Sequence, residues 1–434
     1  MQQQAEIAVV GGGAAGLMAA IFAAEEFQKQ GRSGKVMILE GAQRIGKKLL
    51  ATGNGRCNLT NQQASLPYYH GDAQRMTSVL ERFPPSQIIH TFERFGLFCR
   101  TEEQGRVYPY NVQAAAVLDI LRLQLEYQQV EICCEYPVKN IQAKDGGFTL
   151  ENSTGETITA NQVILTAGGQ ASPQLGSDGS GFPLAKKLGH RITALVPALA
   201  GVKTEPHRAK PLKGMRSYAV ASLWMNGKKV REEKGEVQFT EHGLSGICIF
   251  QLSRHINVAM QENPRCPVEV SLDLMPEYRE EKLAKQIAGH AKQYPFLPAL
   301  DLLSGMINKR VGQEIVRLTL GKEQIMEAGQ CRFSDCQNLA GRIKAFSFPI
   351  VGPMPWNTAQ VTAGGVSCEG VNPQTMESIL CPGLYFAGEI LNIDGDCGGF
   401  NLHWAWASGM LAGKSAAMGY ASEQIKSKKG GKKR

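Results

Sequence analysis

The sequence predicts an α/β protein whose main domain is built from both ends of the chain, with a β-rich region inserted between them. Three observations support this prediction. A short apolar run leads straight into glycines at 7–16, and similar runs that end in glycine recur at 162–169 and 383–389. From about Arg191 the pattern changes to short strands and hairpin turns. Strands that alternate with helices are typical of parallel sheets, whereas closely spaced strands with turn signals are typical of antiparallel ones.

The first element, Ile7–Val10, is an uninterrupted apolar run that predicts a buried strand. The glycines Gly11, Gly13 and Gly16 follow it, and an alanine-rich helix is predicted over Ala14–Glu26. In a strand–turn–helix unit the first glycine makes the tight turn, and the second lets a pyrophosphate approach the backbone. The third packs the helix on the strand. The pyrophosphate would bind the free N–H groups at the helix N-terminus.

A second strand is predicted over Lys35–Leu39 and is followed directly by Glu40. A carboxylate at this position is placed to accept hydrogen bonds from a ribose. The glycines, the flanking strand and helix, and this carboxylate together predict a Rossmann-like dinucleotide-binding site. The alternative is a glycine-rich turn without a ligand.

Three further segments are predicted to reach the same ligand. Residues 41–61 mix glycine, asparagine, lysine and arginine with little periodicity, which is typical of a loop around a polar ligand. The strand at 162–169 is expected to lie beside the first strand and to bring the backbone of Ala167 and Gly168 close to the ligand. Residues 392–406 form a glycine-rich loop that enters a helix near Gly398–Asn401, and a helix N-terminus carries partial positive charge.

The middle of the chain predicts two more parts. Short strands and the hairpin turn at Asn226-Gly227 predict a β-rich domain, in which 331–349 is expected to be strand-like. Apolar residues at helical spacing predict a small helical domain. The predicted domain boundaries are 1–190 with 351–434 for the dinucleotide-binding domain, 191–275 with 331–350 for the β-rich domain, and 276–330 for the helical domain.

The composition favours a cytoplasmic protein and argues against a membrane protein and a metal-binding protein. The 434 residues contain no apolar run as long as a membrane span, and the first residues lack the features of a signal peptide, so we expect a cytoplasmic protein without membrane contact. The 11 cysteines are an odd number without a CxxC pair, which favours reduced thiols. No ligand spacing predicts a metal site.

The net charge of +8 is concentrated in two segments. Residues 203–234 hold nine lysines and arginines against three glutamates, and 426–434 hold six basic residues and no acid. Such segments indicate an anionic partner such as RNA, the alternative being a solvated face and a frayed tail. The tail from Lys426 to Arg434 is predicted to be disordered and to raise RNA affinity without sequence specificity.

Taken together, the motifs resemble those of the BaiN/YhiN-like FAD-dependent oxidoreductases, also called the aminoacetone oxidase family. The similarity runs through the whole chain in order, through Gly11–Gly16 and the blocks 47–61, 166–181, 361–366 and 383–409. It implies a Rossmann-like FAD-binding domain built from both chain ends, an inserted β-barrel-like domain and a small helical domain. The implied FAD-binding residues are Gly11, Gly13, Ala14, Gly16, Glu40, Lys48, Asn54, Gly55, Arg56, Cys57, Asn58, Val138, Gly388, Glu389, Asn401 and Leu402.

The resemblance also implies three kinds of chemistry: reduction of a C=C bond conjugated to a carbonyl in bile-acid intermediates, reduction of uridine to dihydrouridine in ribosomal RNA, and oxidation of small amines such as aminoacetone. The two reductions share hydride transfer from flavin N5 to the β-carbon and protonation of the α-carbon. Cys57, Cys397 and His403 are the candidate proton donors, each with a purely structural role as the alternative. His403 stands where the family pattern has glutamine and is expected to face the flavin.

Three functions therefore stay open. The leading one is an FAD-dependent reductase of a conjugated C=C bond, with ribosomal RNA uridine favoured by the basic segments and a bile-acid-like enone as the other substrate. The second is a small-amine oxidase, and the third is an RNA-binding or ribosome-binding flavoprotein with structural FAD. Because the chain has one glycine pattern and no second nucleotide-binding domain, either NAD(P)H binds transiently at the flavin face or another donor reduces the flavin.

Overall fold

The computed structural model describes residues 3–144, 146–321 and 326–430, and it describes side chains for 4–144, 146–321 and 326–419. The α-helices are α1 (Ala14–Lys29), α2 (Lys47–Ala51), α3 (Thr77–Arg82), α4 (Pro85–Arg94), α5 (Ala114–Tyr127), α6 (Gly181–Lys187), α7 (Pro206–Ala209), α8 (Ile247–Glu262), α9 (Glu280–Gln293), α10 (Lys309–Leu320), α11 (Phe333–Lys344) and α12 (Phe400–Gly430). The strands are β1 (Gln3–Val10), β2 (Val36–Leu39), β3 (Thr60–Asn61), β4 (Cys99–Thr101), β5 (Arg106–Pro109), β6 (Glu131–Cys133), β7 (Val138–Lys144), β8 (Gly147–Asn152), β9 (Thr157–Leu165), β10 (Val196–Ala198), β11 (Val202–Thr204), β12 (Arg216–Met225), β13 (Lys228–Phe239), β14 (Gly243–Ser245), β15 (Val268–Asp273), β16 (Phe346–Pro353), β17 (Val361–Ala363) and β18 (Leu384–Phe386).

The chain divides into two compact units, Met1–Leu195 with Gln360–Arg434, and Val196–Ala359. The helical segment expected at 276–330 falls within the second unit, together with the β-rich segments on either side of it. Residues 351–359, which the sequence assigns to the dinucleotide-binding domain, fall within the second unit as well.

A parallel sheet in the order β18-β9-β1-β2-β6 forms the centre of the first unit. Val10 at the end of β1 is in register with Leu39 of β2 and with Leu165 of β9. The expected pairing of the first strand with the strand at 162–169 is therefore confirmed. The antiparallel hairpin β7–β8 pairs with the first half of β9. The fully buried residues of β2 show that both faces of this sheet are covered, which explains its continuous apolar runs.

Helix α12 packs along α1 in the same unit, so the last long helix of the chain rests on the first. Two glycines make the close approach possible. A Cβ at Gly409 would lie 2.5 Å from the carbonyl oxygen of Ala15, and a Cβ at Gly413 would lie 2.2 Å from that of Ala19. One hydrophobic core contains buried residues of both helices, so the two ends of the chain form a single structural unit.

The second unit contains a closed antiparallel barrel in the order β11-β14-β13-β12-β15-β16, which confirms the β-barrel-like expectation. The predicted turn at Asn226-Gly227 joins β12 to β13, and both residues have positive φ, as a two-residue hairpin turn of this kind requires. Helices α8 to α11 share one hydrophobic core with the barrel strands.

Helix α11 contradicts the sequence prediction, and helix α8 is an element that the prediction did not include. Helix α8 lies in a region predicted to be β-rich, and most of the segment predicted to be strand-like at 331–349 is helix α11. Helix α8 begins with residues that favour strands by composition, but its buried residues recur at helical spacing, as Ile249, Leu252 and Ile256 do. The buried residues of α11 also recur at helical spacing. The longer period determined the structure, whereas the local composition suggested strands.

The basic tail also differs from its prediction. Helix α12 extends to Gly430, so the expected disorder is wrong for 426–430, while 431–434 lie outside the described residues. Lysine, glutamine and glutamate are good helix formers, and no proline interrupts the helix before that glycine. Of the helices in the described ranges, none has both the length and the apolar character needed to span a membrane.

Candidate active site

The turn between β1 and α1 has the geometry expected of a dinucleotide cradle. Gly11 has a φ of +106°, and a Cβ there would lie 2.6 Å from the carbonyl oxygen of Thr166. A Cβ at Gly16 would lie 1.9 Å from the carbonyl oxygen of Gly11, so the start of the helix is pressed onto the turn. Gly13, by contrast, has no atom within 4 Å of its Cβ position, which leaves open space in front of Ala14, the first residue of the helix.

The carboxylate of Glu40 is fixed at the end of β2, beside this turn. Its Oε2 accepts a hydrogen bond of 2.7 Å from the N–H of Gly12, and its Oε1 accepts one of 2.8 Å from the N–H of Ala42. Each oxygen keeps a further lone pair, because a carboxylate has about four acceptor sites. Glu40 can therefore accept hydrogen bonds from a ribose without losing its own support.

The ammonium group of Lys48 lies near the cradle and donates its hydrogen bonds to other residues of the protein. Its Nζ donates to Glu389 Oε2 at 2.7 Å, to the carbonyl oxygen of Ala171 at 3.1 Å and to Ser177 Oγ at 3.3 Å. An ammonium group has three donors, and all three are used here. Lys48 thereby holds three loops of the site together with Glu389, which also accepts a hydrogen bond from the N–H of Thr362. A direct contact of Lys48 with the cofactor stays a prediction.

The loop after α2 reaches from the cradle towards the start of α12. Asn54 and Gly55 are exposed and have positive φ, as in a tight turn. Arg56 donates two hydrogen bonds to Glu102, at 2.8 and 2.7 Å, and its guanidinium lies 4.2 Å from the ring centroid of Tyr108. Its charge is therefore already paired. Asn58 presents a buried Oδ1 without a hydrogen-bond partner among the described residues.

Three of the remaining predicted cofactor contacts, Ala167, Gly168 and Gly388, lie at the carboxyl ends of the parallel strands, whereas Val138 lies at the start of a hairpin strand. Ala167 and Gly168 follow β9, and Gly388 follows β18, where a Cβ would lie 2.7 Å from the Cβ of Ala15 at the start of α1. Val138 begins β7 and is buried. Ligands of open parallel sheets bind at these strand ends, so the positions agree with a shared site.

The glycine-rich loop before α12 is braced from both sides. The side-chain amide of Asn401 forms two hydrogen bonds of 2.8 Å with the backbone of Gly395, one as donor and one as acceptor. Tyr68 stacks on Phe400 with ring centroids 4.6 Å apart, and His70 Nε2 lies 2.8 Å from Asp396 Oδ1. The loop is therefore rigid where it leads into the helix.

Helix α12 begins at Phe400, immediately after the two glycines, as predicted. Its first intrahelical hydrogen bond runs from the N–H of His403 to the carbonyl oxygen of Gly399. The N–H groups of the first turn, which include those of Asn401 and Leu402, have no partner within a helix. These groups and the partial positive charge of the helix end can stabilise an anionic part of a ligand.

Cys397 lies beside this helix end and is half-buried. Burial raises the pKa of its thiol, and the neighbouring charge of Arg106 acts in the opposite direction. A Cβ on the adjacent Gly398 would lie 3.8 Å from Arg106 Nε, which places this arginine at the same loop. Arg106 and Tyr108 belong to β5, the middle strand of a small antiparallel sheet in the order β3-β5-β4.

The family model described as the HI0933-like protein Rossmann domain matches residues 5–415. The chain belongs to the HI0933-like family. A 3-dehydro-bile acid delta(4,6)-reductase of Clostridium scindens is 37% identical over 95% of this chain and 98% of that protein. Ribosomal RNA dihydrouridine synthases of Escherichia coli and Haemophilus influenzae are each 26% identical, over 92% and 94% of this chain and 95% and 97% of theirs.

Solved structures agree on the fold of this HI0933-like protein. A variant of the FrdA chain of Escherichia coli quinol fumarate reductase superposes with a TM-score of 0.50 at 18% identity, covering 98% of this chain and 72% of that one. A quinol-fumarate reductase with menaquinol molecules gives the same score and coverage at 17% identity. The family match and the similarity to the bile-acid reductase confirm the resemblance read from the sequence motifs, and this HI0933-like protein is an FAD-dependent oxidoreductase.

The residues of this HI0933-like protein fit FAD. Gly13 leaves space where a pyrophosphate approaches the backbone, and Glu40 is held where a ribose needs an acceptor. The buried, unpartnered Oδ1 of Asn58 and the first turn of α12 offer further polar groups to the cofactor. Bound there, FAD would be held by residues from both ends of the chain.

Two of the three predicted proton donors are fully buried. The side chain of His403 is fully buried, and its Nδ1 lies 2.7 Å from Thr60 Oγ1. Burial lowers its pKa to about 4, so the imidazole is neutral at neutral pH. Cys57 is also fully buried, and burial raises the pKa of its thiol to about 12. Cys397 alone of the three is partly exposed.

The sequence analysis did not identify Arg106, Tyr108 or Glu102 as candidate site residues. The three-residue strand β4 and the four-residue strand β5 are too short for sequence periodicity to show that they pair. A signal was nevertheless available. Residues 100–110 contain two arginines and two tyrosines, and a third arginine, Arg56, lies in a glycine-rich loop, so hydrogen-bond donors are frequent in these segments. Their convergence on Cys397 depends on long-range pairing of β3 with β5.

Proposed function

We propose that this protein reduces a C=C bond conjugated to a carbonyl in a small, largely apolar molecule, and that Cys397 donates the proton. Bound FAD, once reduced, supplies the hydride equivalent that such a reduction requires. The observation that carries the proposal is the position of Cys397, which is partly exposed beside the start of α12 and close to Arg106. The substrate class is supported by the 37% identity to a bile-acid reductase over nearly the whole of both chains.

The chemistry of Cys397 suits a proton donor. Its burial raises the pKa of the thiol, so the group carries its proton at neutral pH. When the proton is given to the α-carbon, the resulting thiolate lies near the positive charge of Arg106 and the partial positive charge of the helix end. The thiolate then regains a proton from water through its exposed side.

Uridine in ribosomal RNA is the second candidate substrate, because two relatives at 26% identity carry that name. The structure weakens the electrostatic argument for it. Five of the nine basic residues in 203–234 form ion pairs with glutamates, and these are Lys213 with Glu241, Arg216 with Glu236, Lys229 with Glu232, Arg231 with Glu233 and Lys234 with Glu277. A surface with its charges paired in this way attracts a polyanion less strongly than the net charge suggests. RNA contact by the segment and by the tail remains a prediction.

The donor that reduces the flavin is the second part of the proposal. We expect NAD(P)H to bind transiently at the flavin face, because the first unit has one dinucleotide cradle and FAD fills it. Stopped-flow reduction rates with NADH and NADPH test this point. A rate that saturates with either nucleotide supports it, and reduction by neither shows that another donor is used.

The decisive experiment reduces the flavin chemically, so that its outcome does not depend on the natural electron donor. The FAD-loaded protein is reduced with dithionite without oxygen and mixed separately with a 4-en-3-one steroid, a ribosomal RNA fragment and aminoacetone. We expect flavin reoxidation with the steroid and a product that is two hydrogens heavier. Dihydrouridine in the RNA with no steroid turnover would replace the proposal by the second candidate. Hydrogen peroxide released from aminoacetone in air would show an oxidase, and no turnover at all would indicate structural FAD.

A further inference from the structure

Arg106 differs from two neighbouring arginines, Arg56 and Arg100, in how its charge is balanced. Arg56 and Arg100 both donate to the carboxylate of Glu102. Arg106 donates to the neutral Oε1 of Gln104 at 2.7 Å, and no carboxylate of the described residues lies within ion-pair distance of it. It therefore carries an uncompensated positive charge in a half-buried position.

That charge points to the loop that carries the proposed proton donor. Arg106 Nε would lie 3.8 Å from a Cβ on Gly398, and its charge acts on Cys397 and on the phenol of Tyr108. Tyr108 is held against the guanidinium of Arg56, so the phenol has little freedom to move. The guanidinium of Arg106 and the phenol of Tyr108 are thus two hydrogen-bond donors close to the thiol of Cys397.

Resting on the proposed function, we infer that Arg106 binds the carbonyl oxygen of the substrate and stabilises the negative charge that it gains during reduction. When a hydride equivalent adds to the β-carbon, the C=C electrons move towards the carbonyl carbon and its oxygen becomes an enolate oxygen. The thiol of Cys397 then gives its proton to the α-carbon, and the carbonyl double bond is restored. A donor aimed at the oxygen that becomes charged acts more strongly in the transition state than in the ground state.

This assignment sets the substrate class of the site. The molecule must present a carbonyl oxygen to Arg106 while its α-carbon lies at Cys397, so the oxygen is two bonds from the protonated carbon. A guanidinium holds such an oxygen with a charge-assisted hydrogen bond, which is roughly twice as strong as a neutral one. Simple alkenes without a carbonyl are therefore not substrates.

The test uses 4-chlorophenol, whose phenolate resembles an enolate and does not react. The FAD-loaded protein is titrated with 4-chlorophenol at several pH values, and the change in flavin absorbance gives the dissociation constant of the complex. The wild type should bind the phenolate in preference to the phenol. The variant Arg106→Gln should bind phenolate roughly tenfold to a hundredfold more weakly, and Arg106→Lys should show a smaller loss because it keeps the charge.

Arg100→Gln is the matched control, because Arg100 lies on the neighbouring strand and its charge is paired with Glu102. It should bind phenolate as the wild type does. Equal phenolate affinity in the wild type and Arg106→Gln, with flavin content unchanged, would overturn the inference. Turnover of the 4-en-3-one steroid is measured separately: its absence in the wild type would contradict the proposed function, whereas phenolate binding alone decides the role of Arg106.

Discussion

Gly413 on α12 lies so close to Ala19 on α1 that a Cβ on the glycine would sit 2.2 Å from the alanine carbonyl oxygen. Gly409 faces Ala15 in the same way, one helical turn earlier on both helices. The contact joins helices from opposite ends of the chain and depends on the absence of two side chains. It places the helix that begins at the active-site loop directly on the helix that begins at the dinucleotide cradle.

The first prediction follows from this contact. Gly413→Ala should destabilise the protein by about 1–3 kcal/mol, because the added methyl group forces the two helices apart. In an open helix the same change stabilises by about 1 kcal/mol. Gly289→Ala in α9 is the control, since its Cβ position has no atom within 4 Å. Urea unfolding of both variants checks the sign, and a Gly413→Ala variant as stable as the wild type would disprove the close packing.

A second prediction concerns the ion pair between Lys48 and Glu389. Both side chains are mostly buried, with 24% and 21% exposure, so the pair should be coupled more strongly than a surface pair. A double-mutant cycle with Lys48→Met and Glu389→Gln should give a coupling energy of roughly 1–2 kcal/mol in thermal or urea unfolding. The exposed pair Arg75–Glu369 is the control, with an expected coupling below about 0.5 kcal/mol. Additive effects at Lys48 and Glu389 would show that the two loops are held by other contacts.

Much of the first unit could be predicted because its signals are local. The spacing of Gly11, Gly13 and Gly16 and the carboxylate of Glu40 are requirements of one turn, and each residue is read within a few positions of the next. The joining of the chain ends could be predicted because the last apolar strand repeats the pattern of the first. Family resemblance added the assignment to FAD.

What could not be predicted depends on contacts between distant segments. The ion pair of Lys48 with Glu389 could not be predicted, because the two residues are far apart in sequence. The burial of His403 against Thr60 could not be predicted either, because it depends on the long-range placement of the small sheet beside α12. Helix α8 was not predicted as an element, and its buried face packs with the barrel strands in one hydrophobic core.

The third prediction uses the buried imidazole of His403. Its pKa of about 4 in the folded protein is below the ordinary value of 6.5, so the unfolded chain takes up a proton first as the pH falls. The wild type should therefore lose up to roughly 3 kcal/mol of stability from this group between pH 6.5 and pH 4, with none of the loss above that window. The variant His403→Gln has no titrating group at this position, so it should not show this loss of stability. Its rate of substrate turnover should equal that of the wild type. Parallel stability curves for the two proteins over this range would contradict the assignment.

The fourth prediction separates Cys397 from the other cysteines. Cys397→Ala should lower kcat for the 4-en-3-one steroid by about 10² to 10⁴, the usual contribution of a positioned proton donor, without loss of FAD. Cys133→Ala, another half-buried cysteine of the same unit, should leave kcat unchanged. Steady-state kinetics and the flavin absorbance measure both quantities. If the two variants turned over equally fast, Cys397 would not be the donor.

The most direct measurement is the amount of flavin bound by the purified protein and its dependence on Glu40. The wild type should be yellow, should release FAD on denaturation and should hold one FAD per chain, because residues from both chain ends form one cradle. Glu40→Gln should keep the fold and weaken FAD binding by roughly tenfold, the effect of losing a hydrogen bond to a charged group. A wild-type preparation that stays colourless after incubation with excess FAD would contradict the account.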